Sequence, residues 1–290
     1  MGVKKVGIVG LGLMGSGIAE VSLVAGFPTV VREVNQEFLD KGVSGIKRSL
    51  GRAVERGKAT AEQRDRALSH LCASTDFAAL KDCDIVIEAV TENLNAKLEV
   101  FRELDRACQP GAIIASNTSS LSITQLAAVT KRPGLVVGTH FFNPVPVMKL
   151  VEVVRGIASN EAAVVEAKAF CEALGKTVIL AKDTPGFVVN RLLVPYLLDA
   201  IREYERGLAS AEDIDNGMVM GCNYPMGPLR LVDIIGLDTT YFIAQSLYEE
   251  FGEPRFEPPP LLKRLVMAGW LGRKSSRGFY VYDNNHQTAR

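Results

Sequence analysis

Pairs of closely spaced cysteines are missing from this chain of 290 residues. The five cysteines lie far apart, with no CxxC pair and no histidine beside them, which argues against a zinc site and against a disulfide framework. We therefore expect no metal, and buried or partly buried free thiols in a reducing cytosol. The five are Cys72, Cys83, Cys108, Cys171 and Cys222.

Long apolar runs and blocks of like charge are also missing. No uninterrupted hydrophobic stretch reaches the roughly 20 residues that a membrane-spanning helix needs. The first strand-like run begins within a few residues of the start, which leaves no room for a signal peptide. The formal net charge is +0, with no basic block long enough for a nucleic-acid patch. We expect a cytoplasmic protein that binds neither membranes nor nucleic acid.

Strand-like and helix-like segments alternate through the first part of the chain. The predicted strands are apolar runs at residues 3–10, 29–34, 84–90, 112–116, 135–140, 150–154 and 177–181. The predicted helices cover residues 14–25, 36–57, 93–107 and 161–174. Such alternation predicts an α/β fold with a Rossmann-like, doubly wound and mainly parallel sheet.

The pattern changes at residues 183–186, where we place a domain boundary. Almost all of the remaining sequence is predicted to be helical, over residues 187–207, 211–220, 229–251 and 261–268. We expect an NAD-binding domain at residues 1–184, followed by an all-helical domain for substrate binding and dimerisation at residues 185–290.

A dinucleotide-binding pattern, GLGLMG at residues 10–15, follows the first predicted strand and opens the first predicted helix. Gly10 permits the tight turn, Gly12 lets the backbone approach a pyrophosphate, and Gly15 lets the helix pack on the strand. Glu33 ends the second strand, where an acid binds the ribose 2′-hydroxyl of NAD and repels the phosphate of NADP. Arg32 is next to it, so NAD is favoured while NADP stays open.

One of only three histidines suggests a catalytic base. His70 ends a helical stretch and His286 lies in a polar tail, whereas His140 ends an apolar strand. Glu152 lies in the next strand-like run, and the prolines of residues 143–146 turn the chain between them. A histidine held by a carboxylate is a general base with a defined tautomer. The alternative is a core histidine with a structural partner.

Further motifs accompany these in a fixed order. They are GLGLMGSGIA at residues 10–19, ASNTSSL at 115–121, the segment 140–152, DTPGFVVNR at 183–191, YPMGP at 224–228, LGRKS at 271–275 and GFY at 278–280. With them the chain resembles the 3-hydroxyacyl-CoA dehydrogenase family, in particular its short stand-alone 3-hydroxybutyryl-CoA dehydrogenases, over essentially its whole length. The resemblance implies a homodimer that oxidises L-3-hydroxyacyl-CoA to 3-ketoacyl-CoA with NAD.

The resemblance also implies roles for individual residues. His140 would be the general base, with Glu152 orienting it, while Ser119 and Asn190 would bind substrate oxygens, Ser119 next to the cofactor as well. The other implied NAD contacts are Leu13, Met14, Glu92, Lys97, Asn143 and Lys274. Ser49, Arg52 and Arg56 share one helix face and would contact CoA. Ordinary surface charges are the alternative for Lys274, for the arginines and for the Glu92–Lys97 pair.

Two departures from the family pattern and two other functions stay open. Glu33 stands where many members have aspartate, and Ser276 replaces a glycine that is common in the tail motif. The same fold also serves dehydrogenases of free 3-hydroxy acids such as L-gulonate. A non-catalytic NAD-binding protein is the remaining alternative.

Overall fold

The computed structural model describes residues 2–283. The chain divides into two compact units, Met1–Thr184 and Pro185–Arg290. His286 lies outside the described residues. Among the helices of residues 2–283, none is both long enough and apolar enough to cross a membrane.

The first unit is built on one eight-stranded sheet. Its strands are β1 (Val6–Val9), β2 (Thr29–Arg32), β3 (Leu71–Ser74), β4 (Ile85–Glu88), β5 (Ile113–Ser116), β6 (Val136–Phe141), β7 (Leu150–Arg155) and β8 (Thr177–Lys182). They lie in the order β3-β2-β1-β4-β5-β6-β7-β8, and every neighbouring pair is parallel except β6 and β7. The predicted doubly wound, mainly parallel sheet is confirmed.

Helices of the first unit follow the strands along the chain. They are α1 (Leu13–Val24), α2 (Gln36–Glu55), α3 (Ala61–Ser69), α4 (Leu94–Ala107), α5 (Ile123–Ala127) and α6 (Glu161–Ala173). The side chains of Asn35, Asn93 and Asn160 cap α2, α4 and α6 by accepting a backbone N–H of the first turn. The central strands β1, β4 and β5 are buried along their whole length, as continuous apolar runs in parallel sheets are.

Strand β3 is the one that the sequence pattern did not reveal. It pairs in parallel with β2 at the edge of the sheet, with Leu71 opposite Thr29. Its four residues are half-buried or exposed, so they show no apolar run. Pairing with β2 rather than burial makes this segment a strand.

The second unit is mainly helical. Its helices are α7 (Val189–Glu205), α8 (Ala211–Asn216), α9 (Pro228–Ile235), α10 (Leu237–Phe251) and α11 (Pro260–Met267), and a π-helical turn spans Gly217–Gly221. The single helix predicted over residues 229–251 is wrong, because Gly236 has φ +102° and separates α9 from α10. That left-handed backbone cannot continue an α-helix and favours glycine.

The tail of the second unit is held by a buried carboxylate on α9. Asp233 accepts hydrogen bonds from the backbone N–H groups of Phe279 and Tyr280 and from the Tyr282 hydroxyl, at 2.8–3.0 Å. Burial raises the pKa of Asp233, and these hydrogen bonds oppose that rise. Ser276 has φ +58°, so the turn keeps the left-handed geometry that a glycine adopts more easily.

All five cysteines are unpaired. Cys83, Cys108 and Cys171 are buried, but Cys72 and Cys222 are exposed, contrary to the expectation that all five would be at least partly buried. Burial raises the pKa of Cys83 to about 12 and that of Cys108 to about 11, and it raises the pKa of Cys171 as well. The buried thiols are therefore both shielded and protonated near neutral pH.

These differences predict how the thiols react with an aromatic disulfide reagent at pH 8. Two thiols, Cys72 and Cys222, should react promptly in the native protein, and all five should react in denaturant. Cys72→Ser and Cys222→Ser should each remove one equivalent from the prompt phase. Prompt reaction of three or more thiols in the folded protein would contradict the buried placement.

Candidate active site

The carboxyl edge of the sheet brings together four strand ends. Val9 of β1 lies opposite both Arg32 of β2 and Glu88 of β4, and Glu88 lies opposite Ser116 of β5. Strands β2 and β3 lie on one side of β1, and β4 and the later strands lie on the other side, so the direction of strand addition reverses at β1. Open α/β sheets bind their ligands outside the carboxyl ends of the strands at such a point.

The glycine loop at this edge has the geometry that the pattern predicts. Gly10 has φ +91°, a left-handed conformation that suits glycine. A Cβ on Gly15 would lie 1.7 Å from the Gly10 carbonyl oxygen, so helix α1 could not pack against the loop if residue 15 carried a side chain. A Cβ on Gly12 would meet nothing within 4 Å. The loop therefore has open space at Gly12, beside the N-terminus of α1, which suits a pyrophosphate.

The side chains of Glu33 and Arg32 lie in different surroundings. The Glu33 carboxylate accepts the backbone N–H of Leu11 at 2.6 Å and lines a cavity of about 860 Å³ that also contains Gly12. The Arg32 guanidinium lies over the Phe77 ring, 3.9 Å from its centroid, and donates to the Thr75 carbonyl. Because the acid and not the arginine faces the cavity, the geometry fits the ribose of NAD better than the phosphate of NADP.

The cavity is lined by several of the predicted cofactor and CoA contacts of this unit. Its lining residues on the loop, on α1 and α2 and on the turn after β6 include Leu13, Glu33, Lys41, Arg48, Ser49, Arg52 and Asn143. Met14 is partly buried against the core, and Arg56 is exposed at the end of α2 and outside the lining. Glu20 on α1 also faces the cavity and hydrogen-bonds Ser49, and burial raises its pKa.

The predicted pair of His140 and Glu152 is formed. The two residues lie opposite each other in the antiparallel β6–β7 pair, and His140 Nδ1 is 2.6 Å from Glu152 Oε2. Glu152 is fully buried and His140 is 6% exposed. A buried carboxylate at Nδ1 favours the tautomer with a proton there, which makes Nε2 the basic nitrogen of the ring. The Phe142 ring packs against the imidazole at 4.5 Å between centroids.

Two side chains hold the strands that carry this pair. The Asn117 side-chain carbonyl accepts the backbone N–H of Phe141 at 2.9 Å, next to His140. The buried Lys176 ammonium donates to the carbonyls of Val145 and Met148 at 2.5 and 2.8 Å. These contacts tie down the turn between β6 and β7, on which the register of the pair depends.

Ser119 lies in a loop that is organised by Glu92. The Glu92 carboxylate accepts the Thr118 hydroxyl at 2.5 Å, and the Ser119 backbone N–H and the Ser120 hydroxyl at 3.1 Å each. Burial alone would raise the pKa of Glu92, but Lys97 and these hydrogen bonds outweigh it and lower the pKa below its usual range. The ionised carboxylate therefore fixes the backbone that presents Ser119.

Lys97 is buried, and the alternative of a helix-surface pair with Glu92 is wrong. Its side chain is 1% exposed, and its ammonium lies 2.6 Å from Glu88 Oε1 and 3.3 Å from Glu92 Oε2. Glu88 is fully buried and also accepts the Val90 N–H and the Ser116 hydroxyl, both at 2.7 Å. A buried charge needs such partners, and here all three charged groups have them.

Several polar residues that organise this edge are not among the site residues that the sequence predicts. They are Glu20, Glu88, Ser116, Asn117 and Lys176. Glu88 carried a signal, because a carboxylate at the end of the apolar run of β4 must find a partner. Glu20 and Lys176 lie among mixed residues of helix and turn, and no pattern distinguished them from surface charges.

Two predicted site residues belong to the second unit. Asn190 is half-buried in the first turn of α7. The Lys274 ammonium lies 2.6 Å from the Asp238 carboxylate of the same unit. Their predicted contacts with substrate and cofactor stay predictions.

Comparisons with known proteins agree over nearly the whole chain. The family model "3-hydroxyacyl-CoA dehydrogenase, NAD binding domain" matches residues 5–184, and "3-hydroxyacyl-CoA dehydrogenase, C-terminal domain" matches residues 186–282. A 3-hydroxybutyryl-CoA dehydrogenase of Mycobacterium tuberculosis is 53% identical over 282 residues, 97% of this chain and 99% of that protein.

Two crystal structures are similar throughout. FadB2 of M. tuberculosis has 52% identity and a TM-score of 0.96, covering 98% of this chain and 100% of that one. The (S)-3-hydroxybutyryl-CoA dehydrogenase of Ralstonia eutropha has 46% identity and a TM-score of 0.94, covering 97% of this chain and 100% of that one.

The glycine loop predicts opposite consequences for two alanine substitutions. Gly12→Ala should leave the unfolding temperature unchanged but weaken NADH binding by roughly tenfold or more, since its Cβ enters the space left for the pyrophosphate. Gly15→Ala should lower the unfolding temperature, because its Cβ collides with the Gly10 carbonyl. Thermal unfolding and NADH fluorescence titration measure the two effects.

Gly51→Ala is the matched control, because it lies inside α2 and its Cβ would meet nothing within 4 Å. It should bind NADH normally and gain up to about 1 kcal/mol of stability from the better helix propensity. Unchanged NADH affinity in Gly12→Ala would contradict the proposed position of the pyrophosphate.

Proposed function

The chain belongs to the 3-hydroxyacyl-CoA dehydrogenase family, and we propose that it catalyses the reversible, NAD-dependent oxidation of an L-3-hydroxyacyl-CoA to the 3-ketoacyl-CoA. A short acyl chain, as in 3-hydroxybutyryl-CoA, is the proposed substrate. The observation that carries the proposal is the 2.6 Å contact between His140 and Glu152 at the edge of a sheet that also presents a dinucleotide-binding loop.

His140 is the proposed general base. Its Nε2 takes the proton of the substrate 3-hydroxyl during oxidation and returns it during reduction, since an imidazole exchanges protons near neutral pH. The Glu152 carboxylate holds the ring through Nδ1 and stabilises the imidazolium that forms. Ser119 would donate a hydrogen bond to a substrate oxygen, from a loop that Glu92 keeps in place.

The glycine loop and Glu33 would hold the NAD. The N–H groups at the start of α1 face the pyrophosphate, and Glu33 accepts a ribose hydroxyl. When bound, NAD accepts the hydride that leaves C3 of the substrate. Met14, Asn143 and Lys274 keep their proposed cofactor contacts. The Lys97 side chain is 1% exposed, so we propose that it acts on the cofactor through the charge of the cluster at the end of β4 and not by direct contact.

The cavity along α2 is the proposed CoA site. Lys41, Arg48 and Arg52 line it and give it the positive charge that CoA phosphates require, and Ser49 lies among them. Arg56 lies outside the lining, so we expect a smaller contribution from it. Asn190 is proposed to bind a substrate oxygen through its side-chain amide.

We further propose that the protein is a cytoplasmic homodimer. Several large apolar side chains of the helical unit are exposed, among them Leu192, Met220 and Met267, each by more than two thirds. Such side chains are typical of a surface that a second subunit covers. The unpaired thiols suit a reducing compartment.

The proposed reaction is tested by NADH consumption with acetoacetyl-CoA, measured beside NADPH and beside free acetoacetate. Rapid oxidation of NADH with the CoA ester alone is the expected result. Activity on the free acid alone would instead identify a hydroxy-acid dehydrogenase on the same fold. If a protein that binds NADH oxidises neither NADH nor NADPH with either substrate, the proposed substrate class is contradicted.

Removal of the base should abolish turnover without abolishing cofactor binding. His140→Ala should lower kcat by roughly 10²–10⁴-fold, the usual contribution of a general base. Glu152→Gln should lower kcat by roughly tenfold or more, because the amide no longer stabilises the imidazolium. NADH affinity should change little in either variant.

His70→Ala is the matched control for these variants. His70 lies at the end of α3, where Nδ1 contacts the Gly26 carbonyl, and its loss should leave kcat unchanged. A folded His140→Ala variant that keeps most of the wild-type turnover would contradict the assigned mechanism.

Charge reversal on α2 tests the CoA site. Arg52→Glu should raise the KM for acetoacetyl-CoA roughly tenfold at low salt and less at high salt, because it repels the CoA phosphates. Arg56→Glu should have a smaller effect, since Arg56 lies outside the cavity lining. Lys47→Glu, on the same helix but outside the lining, is the control and should leave the KM unchanged. Equal KM values in all three variants would favour a free-acid substrate.

A further inference from the structure

A cluster of three charges, two of them fully buried, lies at the carboxyl ends of β4 and β5. It comprises Glu88, Lys97 and Glu92, which we call the Glu–Lys–Glu cluster. The Lys97 ammonium joins the two carboxylates at 2.6 and 3.3 Å, and Glu88 and Lys97 are at most 1% exposed. Two carboxylates and one ammonium leave the cluster with a formal charge of −1.

The cluster is not required for a stable core. A buried ion pair gives little net stability, because desolvation offsets most of its attraction, and apolar side chains of similar volume are often as stable. Every acceptor is nevertheless used: Glu88 holds Val90 and Ser116, and Glu92 holds the loop that carries Ser119. Such complete pairing is what buried charges require, and it holds the cluster in one arrangement.

The cluster lies on one side of the dinucleotide-binding loop. A Cβ on Gly10 would meet the Ala89 carbonyl at 2.7 Å, so the residue after Glu88 packs directly against the loop. Glu33, at the end of β2, marks the side of the adenosine ribose. A dinucleotide whose pyrophosphate lies at the loop therefore extends its other half over β4 and β5, toward the Glu–Lys–Glu cluster.

We propose that Glu88 is a positioning residue whose carboxylate gives the Glu–Lys–Glu cluster its net negative charge, and that this charge makes the protein bind oxidised NAD more favourably relative to reduced NADH than it otherwise would. The nicotinamide ring is a cation in NAD⁺ and neutral in NADH, so a fixed negative charge nearby stabilises only the oxidised form. The inference rests on the proposed function, because it requires the dinucleotide to bind as described.

The test compares the dissociation constants of NAD⁺ and NADH in charge-altered variants, measured by calorimetry and by fluorescence without substrate. Glu88→Gln keeps the shape of the side chain and one acceptor oxygen, replaces the other oxygen with an amide NH₂ that can donate to the Ser116 hydroxyl, and brings the cluster to zero net charge. The ratio of Kd for NAD⁺ to Kd for NADH should rise about tenfold, the effect of one unit charge across roughly 10 Å near a protein surface. Glu92→Gln has the same net charge and should move the ratio in the same direction.

The double variant Glu88→Gln/Lys97→Gln separates charge from geometry. It removes one charge of each sign, restores the net charge of −1 and should return the ratio to within about twofold of the wild type. The double variant leaves no lysine in the cluster without its carboxylate partners. If Glu88→Gln alone fails to fold, Glu92→Gln provides the cluster of zero net charge, and the double variant remains the comparison with a net charge of −1.

Asp105→Asn is the matched control. Asp105 forms a partly buried ion pair with Arg132 at 2.9 Å, before β6 and thus at the amino edge of the same sheet. Its variant loses one carboxylate charge but should leave the ratio unchanged.

The outcomes are distinct. A ratio that stays constant in Glu88→Gln and Glu92→Gln, or that fails to return in the double variant, would overturn the inference. If the wild type binds neither NAD⁺ nor NADH, the proposed function fails, and the inference fails with it for a different reason.

Discussion

The hydrogen bond between His140 and Glu152 is the interaction on which the candidate active site depends. Glu152 is fully buried in the middle of β7, so its charge requires a partner, and the antiparallel register places His140 directly opposite it. Because β7 runs antiparallel to β6, its amino-terminal half, which contains Glu152, lies at the carboxyl edge of the sheet. The single reversal of direction in the sheet, between β6 and β7, is therefore what gives the imidazole its carboxylate.

The rest of the carboxyl edge preserves that arrangement through buried polar groups. Lys176 and Asn117 hold the two ends of the β6–β7 turn, and Asp183 caps α5 by accepting the N–H groups of Ile123 and Thr124. Glu92 fixes the loop of Ser119 from the other side. Each contact joins segments far apart in sequence that the sheet brings together. These contacts hold the side chains of the candidate site in place.

Charges of both signs line the cavity along α2. Lys41, Arg48 and Arg52 lie along the helix, and the carboxylates of Glu20 and Glu33 face the same space. A chain of formal net charge +0 has no global field to attract an anionic ligand, so local charges must do this. The cationic side chains suit the phosphates of a ligand, and the Glu33 carboxylate suits a ribose hydroxyl.

Sequence alone determined the alternating fold, the glycine loop and the His140–Glu152 pair, because each depends on local periodicity, a short motif or a turn between neighbouring strands. Edge strand β3, the break at Gly236 and the burial of Lys97 were decided only by tertiary structure. The four residues of β3 form a strand because they pair with β2, and the positive φ of Gly236 cannot be recognised from the apolar pattern. Lys97 lies on an amphipathic helix, where a lysine is usually exposed, and only the structure shows that it is buried against two carboxylates. Glu88 and Lys97 show the reason: they lie nine residues apart, and the packing of α4 on β4, which spacing along the chain does not reveal, brings the ammonium to the carboxylate.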